Sequence, residues 1–408
     1  MNQTTSVSAV SLESTGENEE TVSVLKSRLP SIDFARGLVM VIMALDHVRD
    51  YLSSARYGLV GFAEADGAYF FTRWITHFCA PLFVLLAGIS VGLMHASRTP
   101  RELSMFLLTR GIWLILIEQT VMVFGWSFGG GQGYALLLGT LSMIGFCMLS
   151  MAAFIWLPKR LLLVMSLLMI FGHNLLDGVL PMEAAAAQGN VPVWYALHED
   201  FFTFSLGVPM AVVYPLIPWV AVMPLGYLLA DLYSGPELER RRTLVLAGAA
   251  CVALFFVLRG FNLYGDPELW STQESLSLTL VSFFNVEKYP PSLLFLLMTL
   301  GPGLLLMAFS ERLRGPLVKV ITTFGKVPFA YYILHIYLAH LLALALAEWQ
   351  GAGWRAAAVG WWEFPEGFGV SLPLVYLAWI LVVALLYPFC RWLAAVKARR
   401  RDWWLSYL

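Results

Sequence analysis

The chain has 408 residues, of which 59% are hydrophobic and 13% charged, with a mean hydropathy of +0.71. A water-soluble domain carries about 25% charged residues, so this composition excludes a soluble enzyme or a nucleic-acid-binding module and indicates an all-α, polytopic integral membrane helix bundle. The net charge of -1 identifies no partner, because the charges sort by side of the bilayer.

Residues 1–27 are rich in Ser, Thr and Glu and lack both a basic n-region and an apolar h-region. That argues against a cleaved signal peptide and for a disordered cytoplasmic tail. Residues 28–396 form the transmembrane domain, and 397–408 a basic, aromatic cytoplasmic tail. Ten spans are expected, at 33–52, 73–95, 103–125, 134–157, 160–180, 211–233, 243–260, 291–310, 326–349 and 372–396. Sorted by alternate sides, 20 of the 26 Lys and Arg residues fall with the two termini. The positive-inside rule then puts both termini in the cytoplasm.

The first span carries the most telling pattern. Arg36 and His47 lie in the apolar stretch Ser31–Leu52, and ionisable groups inside a span mark a pathway or a reactive site. Eleven residues apart, they share one helix face about 16 Å apart along the axis. A cation suited to phosphate and a proton-transfer group therefore occupy one stripe.

Other buried polar residues also sort by depth. Asp46, His47 and Asp50 end span 1, and Arg73 and His77 begin span 2. Glu118 and Gln119 lie in the outer half of span 3; His173, Asn174 and Asp177 lie in that of span 5. His340 is in the outer part of span 9, with His335 near its middle. At the inner ends stand Arg36, paired with Asp33 one turn before it, Arg110 and Lys326, cations suited to phosphates. Each has a bland reading too. Asp33 and Arg36 make an ordinary ion pair at a helix start, and His173, Asn174 and Asp177 simply cap span 5. A structural bond to a neighbouring Arg would account for Glu118, and stacking under Tyr331 and Tyr332 makes His335 a core residue. Gly88 and Gly92 on span 2 have the small-xxx-small spacing of a helix contact. His95 and His198 carry no assigned role.

The outer connections comprise the turn Gly129-Gly130-Gly131-Gln132-Gly133, an acidic and aromatic stretch at 181–210, and a long loop at 261–290. The last holds Phe261, Tyr264, Trp270, Phe283 and Phe284, followed by Lys288-Tyr289-Pro290-Pro291. The glycine turn is not a P-loop, since no Gly-Lys-Ser/Thr follows it. Cys79, Cys147, Cys251 and Cys390 show no metal spacing, so no metal is expected.

The segment Ser31-Ile32-Asp33-Phe34-Ala35-Arg36-Gly37-Leu38, leading to Asp46-His47, resembles the opening of the transmembrane acyltransferases. Within them the chain is most similar to bacterial relatives of heparan-alpha-glucosaminide N-acetyltransferase. Trp74 to Gly88, Lys288 to Phe295, and Phe324 to Tyr332 resemble further blocks of that family, over nearly all of 28–408. Two departures stand out: no large luminal N-terminal domain precedes span 1, and Asp46-His47 ends it where the lysosomal enzyme keeps its histidine further along the loop.

The resemblance implies transfer of an acetyl group from cytoplasmic acetyl-CoA to a sugar or glycan reached from the opposite face. On this reading CoA phosphates meet Arg36, Arg110 and Lys326 beside Asp33, and the thioester lies near His47. His47 acts as general base, oriented by Asp50, with Asp46 less suited and His77 a second proton carrier or acyl-accepting nucleophile. Glu118, Asn174, Asp177 and Lys288 hold the acceptor, and the loop aromatics offer sugar platforms. Expected partners are acetyl-CoA, the glycan and membrane lipid, with no nucleic acid; an oligomer is compatible. The competing class is a proton-coupled secondary transporter of a small metabolite, which buried His and Glu also suit.

Overall fold

The long apolar stretches become helices because a backbone in lipid has no water to bond and must satisfy its own N–H and C=O groups. The computed structural model describes residues 29–55, 67–131, 136–179, 191–198, 202–205, 209–400 and 402–407. The N-terminal tail 1–27, Lys26, Arg28, Arg56, Gln132, Gly133, Arg401 and most of 181–210 lie outside the described residues.

Helix α1 (Pro30–Leu52) starts on a proline, whose missing N–H falls where helices leave N–H groups unbonded anyway. α2 (Gly67–His95) contains a 3-10 turn at Ile75–Phe78. α3 (Pro100–Ser127) opens on a capping box, in which Thr99 and Glu102 bond each other's backbone N–H. It contains a π-turn at Glu118–Met122. There follow β1 (Leu136–Leu138), α4 (Thr140–Phe154), α5 (Lys159–Leu176), α6 (Val191–His198), β2 (Phe202–Ser205) and β3 (Pro209–Val212). The chain continues through α7 (Trp219–Ser234), α8 (Glu237–Gly260), α9 (Leu276–Phe284) and α10 (Leu293–Ser310). It ends with α11 (Pro316–Lys326), α12 (Pro328–Trp349), α13 (Leu372–Arg399) and a 3-10 turn at Trp403–Ser406.

Among the described residues, seven helices are long and apolar enough to cross a membrane: α2, α3, α5, α8, α10, α12 and α13. α4 and α7 are apolar but shorter. α1 has the length, but it carries Asp33, Arg36, Asp46, Arg49 and Asp50. Large apolar side chains such as Leu168, Phe256, Leu377 and Leu385 are exposed on α5, α8 and α13. On a soluble monomer such a surface is a liability; here it is the face for lipid. The molecule is a multi-pass helical membrane protein.

The all-α expectation is corrected in one place. β3 pairs in parallel with β1 and antiparallel with β2, making a three-stranded sheet. Span 134–157 therefore begins as a strand and becomes helical only after Gly139. Span 211–233 likewise begins in β3, and its helix waits for Trp219, beyond Pro215 and Pro218, because proline lacks a backbone donor. The segment 316–326, expected as cytoplasmic loop, is the helix α11 packed on α1.

α1 is the hub, packed against α2, α10, α11, α12 and α13. Two contacts depend on glycine. At Gly88 on α2 and Gly226 on α7, an added Cβ would collide with the backbone carbonyls of Met223 and Leu85 respectively. The Gly88/Gly92 spacing is thus a helix contact. Gly37 and Gly325 do the same for α1 and α11, and that approach sets the position of the Gly325 carbonyl beside Arg36.

Candidate functional site

A cavity of about 340 Å³ lies among the ends of α1, α2, α3, α4, α11, α12 and α13, within the usual size of small-molecule pockets. Its charged lining consists of four cations: Arg36, Arg110, Lys326 and Lys397. Apolar walls come from Met40, Phe83, Phe106, Leu114, Ile144 and Met148, with Thr140, Leu141 and Tyr332 completing the lining. The three cations singled out from sequence thus converge, although 74 residues separate Arg36 from Arg110 and 216 separate Arg110 from Lys326.

The cations are held differently. Arg36 bonds Asp33 at 3.2 Å, the Gly325 carbonyl at 3.2 Å and the Ser90 hydroxyl at 2.9 Å. Asp33 is therefore the partner that positions Arg36. Arg110 instead lies between two aromatic faces, 5.3 Å from the Phe329 centroid and 5.5 Å from that of Tyr407. Its Nη1 is buried and has no hydrogen-bond partner among the described residues. Of the two guanidiniums, Arg110 has more capacity left for an anion. Lys397, assigned from sequence to the C-terminal tail, stands on α13, which runs to Arg399.

Two turns beyond Met40 on α1 stands His47. Its Nδ1 lies 2.7 Å from Nε2 of His335 on α12. The ring centroids are 4.9 Å apart and the planes tilt by 18°, so the rings meet edge to edge in nearly one plane, as a hydrogen bond requires. Trp126 packs edge-on at 5.2 Å, and Tyr332, which lines the cavity, at 6.4 Å. His47 therefore sits just behind the cavity's Tyr332 wall.

Asp50 does not take the orienting role expected of it. Arg49 binds Asp46 at 2.7 Å and Asp50 at 2.6 Å, and the Nδ1 partner of His47 is His335. Asp46, Asp50, Arg49 and Lys288 all act electrostatically on His47; Lys288, Arg73, Asp46 and Arg49 act on His77. These groups form one polar cluster. Lys288 is 8% exposed, and its ammonium lies 5.0 Å from the Tyr289 ring centre. His77 packs against Phe295, and neither ring nitrogen has a hydrogen-bond partner among the described residues.

Three expected acceptor residues have other partners. Glu118, fully buried, accepts from the N–H groups of Leu141 at 2.6 Å and Ser142 at 3.2 Å. Through Oε2 it caps α4 and thereby fixes the segment that supplies Thr140 and Leu141 to the cavity, while Oε1 is buried with no hydrogen-bond partner among the described residues. Asn174 donates to Asp177 at 2.9 Å and accepts from the Leu293 N–H at 2.9 Å. That pair ties the end of α5 to the start of α10. Three of the aromatics of 261–290 are taken up by packing: Phe283 and Phe284 lie against Phe255 and Phe256, and Trp270 against Phe283, whereas Phe261 is exposed. Arg259 holds this loop through the carbonyls of Glu268, Ser282, Phe283 and Asn285.

His335, Lys397, Ser90, Thr140 and Tyr332 were not singled out as site residues from sequence. His335 was visible as an intramembrane histidine, but its stacking on Tyr331 at 5.3 Å gave it an equally good core reading. Among the described residues, no three His, Cys, Asp or Glu side chains gather as a metal site, and all four cysteines are unbridged.

Residues 28–264 match the family model described as heparan-alpha-glucosaminide N-acetyltransferase, catalytic. A search of curated proteins finds no match.

Proposed function

The chain belongs to the heparan-alpha-glucosaminide N-acetyltransferase catalytic family, and we propose that it moves an acetyl group from cytoplasmic acetyl-CoA to an amine or hydroxyl of a sugar or glycan at the outer face. Family membership makes it a membrane-bound transferase of the acetyltransferase type. The observation that carries the finer reading is the cavity: its charged lining is wholly cationic, and its Tyr332 wall touches His47. Arg110, Lys326 and Lys397 bind the CoA phosphates, with Arg36 held beside them by Asp33. The pantetheine arm lies along the apolar wall of Met40, Ile144 and Met148, bringing the thioester toward His47.

His47 removes a proton from the acceptor as its nitrogen or oxygen attacks the thioester carbonyl. The new C–N or C–O bond forms, the C–S bond breaks, and the departing thiolate takes the proton back from His47. Lys288 and the neighbouring charges hold the acceptor. His77, packed on Phe295, is the second choice of base. Ten crossings, with both termini and the cationic cavity end in the cytoplasm of a bacterial inner membrane, agree with the distribution of Lys and Arg.

The test uses proteoliposomes with acetyl-CoA, labelled in its acetyl group, on the cationic side and glucosamine on the other. Labelled N-acetyl product inside, dependent on His47, supports the reading. Acceptor crossing the membrane unmodified under a proton gradient would point to the transporter class.

A further inference from the structure

We infer that His335 is a positioning residue that fixes the tautomer of His47 and makes His47 Nε2 the atom that accepts the acceptor's proton. The inference rests on the reading of His47 as base. His335 is fully buried, and its Nδ1 lies 2.9 Å from the Tyr331 carbonyl oxygen. A carbonyl only accepts, so His335 Nδ1 carries a proton and, in the neutral ring, Nε2 holds a lone pair. That lone pair lies 2.7 Å from His47 Nδ1. Two lone pairs cannot bond each other, so His47 Nδ1 carries its proton and donates it to His335. The remaining nitrogen of neutral His47, Nε2, is left with a lone pair on the opposite ring edge. It has no hydrogen-bond partner among the described residues.

The α12 backbone thus dictates through two imidazoles which nitrogen of His47 is basic. When Nε2 takes the acceptor's proton, the bond from His47 Nδ1 to His335 becomes charge-assisted and stronger. The arrangement therefore favours the protonated His47 that the transfer step requires. Proton return to the departing thiolate restores the starting tautomer without moving either ring.

The experiment labels histidine with heavy nitrogen in the full-length protein in detergent. The His47 signals are identified by their loss in His47→Gln. Neutral His47 protonated on Nδ1 is expected; a proton on Nε2 overturns the inference without any variant having to fold at His335. Turnover and acetyl-CoA binding are then measured in His335→Leu and His335→Gln. Leucine removes the acceptor, and kcat falls by about a hundredfold with KM for acetyl-CoA little changed. Glutamine restores an acceptor oxygen near the same point and recovers most of kcat. Full turnover in His335→Leu, in a preparation where His47→Gln is inactive, overturns the positioning role alone. Full turnover in His47→Gln overturns the base reading beneath it.

Discussion

Replacing Arg110 with glutamine isolates the phosphate-binding claim. In the free protein the guanidinium makes no hydrogen bond from its buried Nη1 and rests between Phe329 and Tyr407. Removing it costs the fold those two cation–π contacts, about 1–2 kcal/mol each for a largely desolvated guanidinium. A charge-assisted bond to phosphate is worth about 1.5–3 kcal/mol, so the dissociation constant for CoA should rise by about tenfold to a hundredfold. Titration of purified protein with CoA, and separately with pantetheine, reads this directly. Pantetheine lacks the phosphates, so its affinity should not change. Equal losses for both ligands would mean that Arg110 shapes the cavity; no loss for CoA would mean that the phosphates bind elsewhere. The same titration on Arg36→Gln behaves differently. Arg36 is bonded to Asp33, Ser90 and Gly325, so its loss strips the cationic partner from a buried carboxylate, which costs about 3–5 kcal/mol. That variant should melt earlier as well as bind CoA less tightly.

Three further outcomes follow from individual contacts. Gly226→Val forces a side chain against the Leu85 carbonyl and should cost at least about 1–3 kcal/mol, read as a lower melting temperature in detergent. Glu118→Leu leaves the Leu141 and Ser142 N–H groups without their acceptor, at about 1–3 kcal/mol each; it should destabilise the protein and raise KM for acetyl-CoA, since Thr140 and Leu141 line the cavity. His77→Phe replaces a ring without hydrogen bonds beside Phe295. Its stability should hold or rise and turnover should persist; lost turnover in a folded protein would transfer the base or nucleophile role to His77.

How much of this the sequence discloses depends on where the information resides. Arg36, Arg110 and Lys326 were legible because cations are costly in apolar stretches, and each stands out against its own neighbours. Lys397 was not, since among Arg391, Arg399 and Arg400 it looks like one more residue of a basic tail. The His47–His335 bond joins positions 288 residues apart, and no local spacing encodes it. Glu118 stands out in the sequence by its charge, but its partners are backbone N–H groups, which every residue type carries. The sheet is not legible because strands of three and four residues are too short to show a two-residue period inside apolar sequence. The long helices are legible because each keeps its apolar character over 14 residues or more, with Pro30, Pro100 and Pro328 marking the starts of α1, α3 and α12; α6, α9 and α11, of 8, 9 and 11 residues, are too short to show it.

The most direct measurement is thioester turnover and CoA affinity, made side by side on wild-type protein and His47→Gln purified in detergent. Wild type should cleave acetyl-CoA slowly in water and faster with an amino-sugar acceptor. His47→Gln should bind CoA with unchanged affinity and lose turnover by about a hundredfold or more. Undiminished turnover in that variant, or wild-type protein that binds no CoA, would contradict the account.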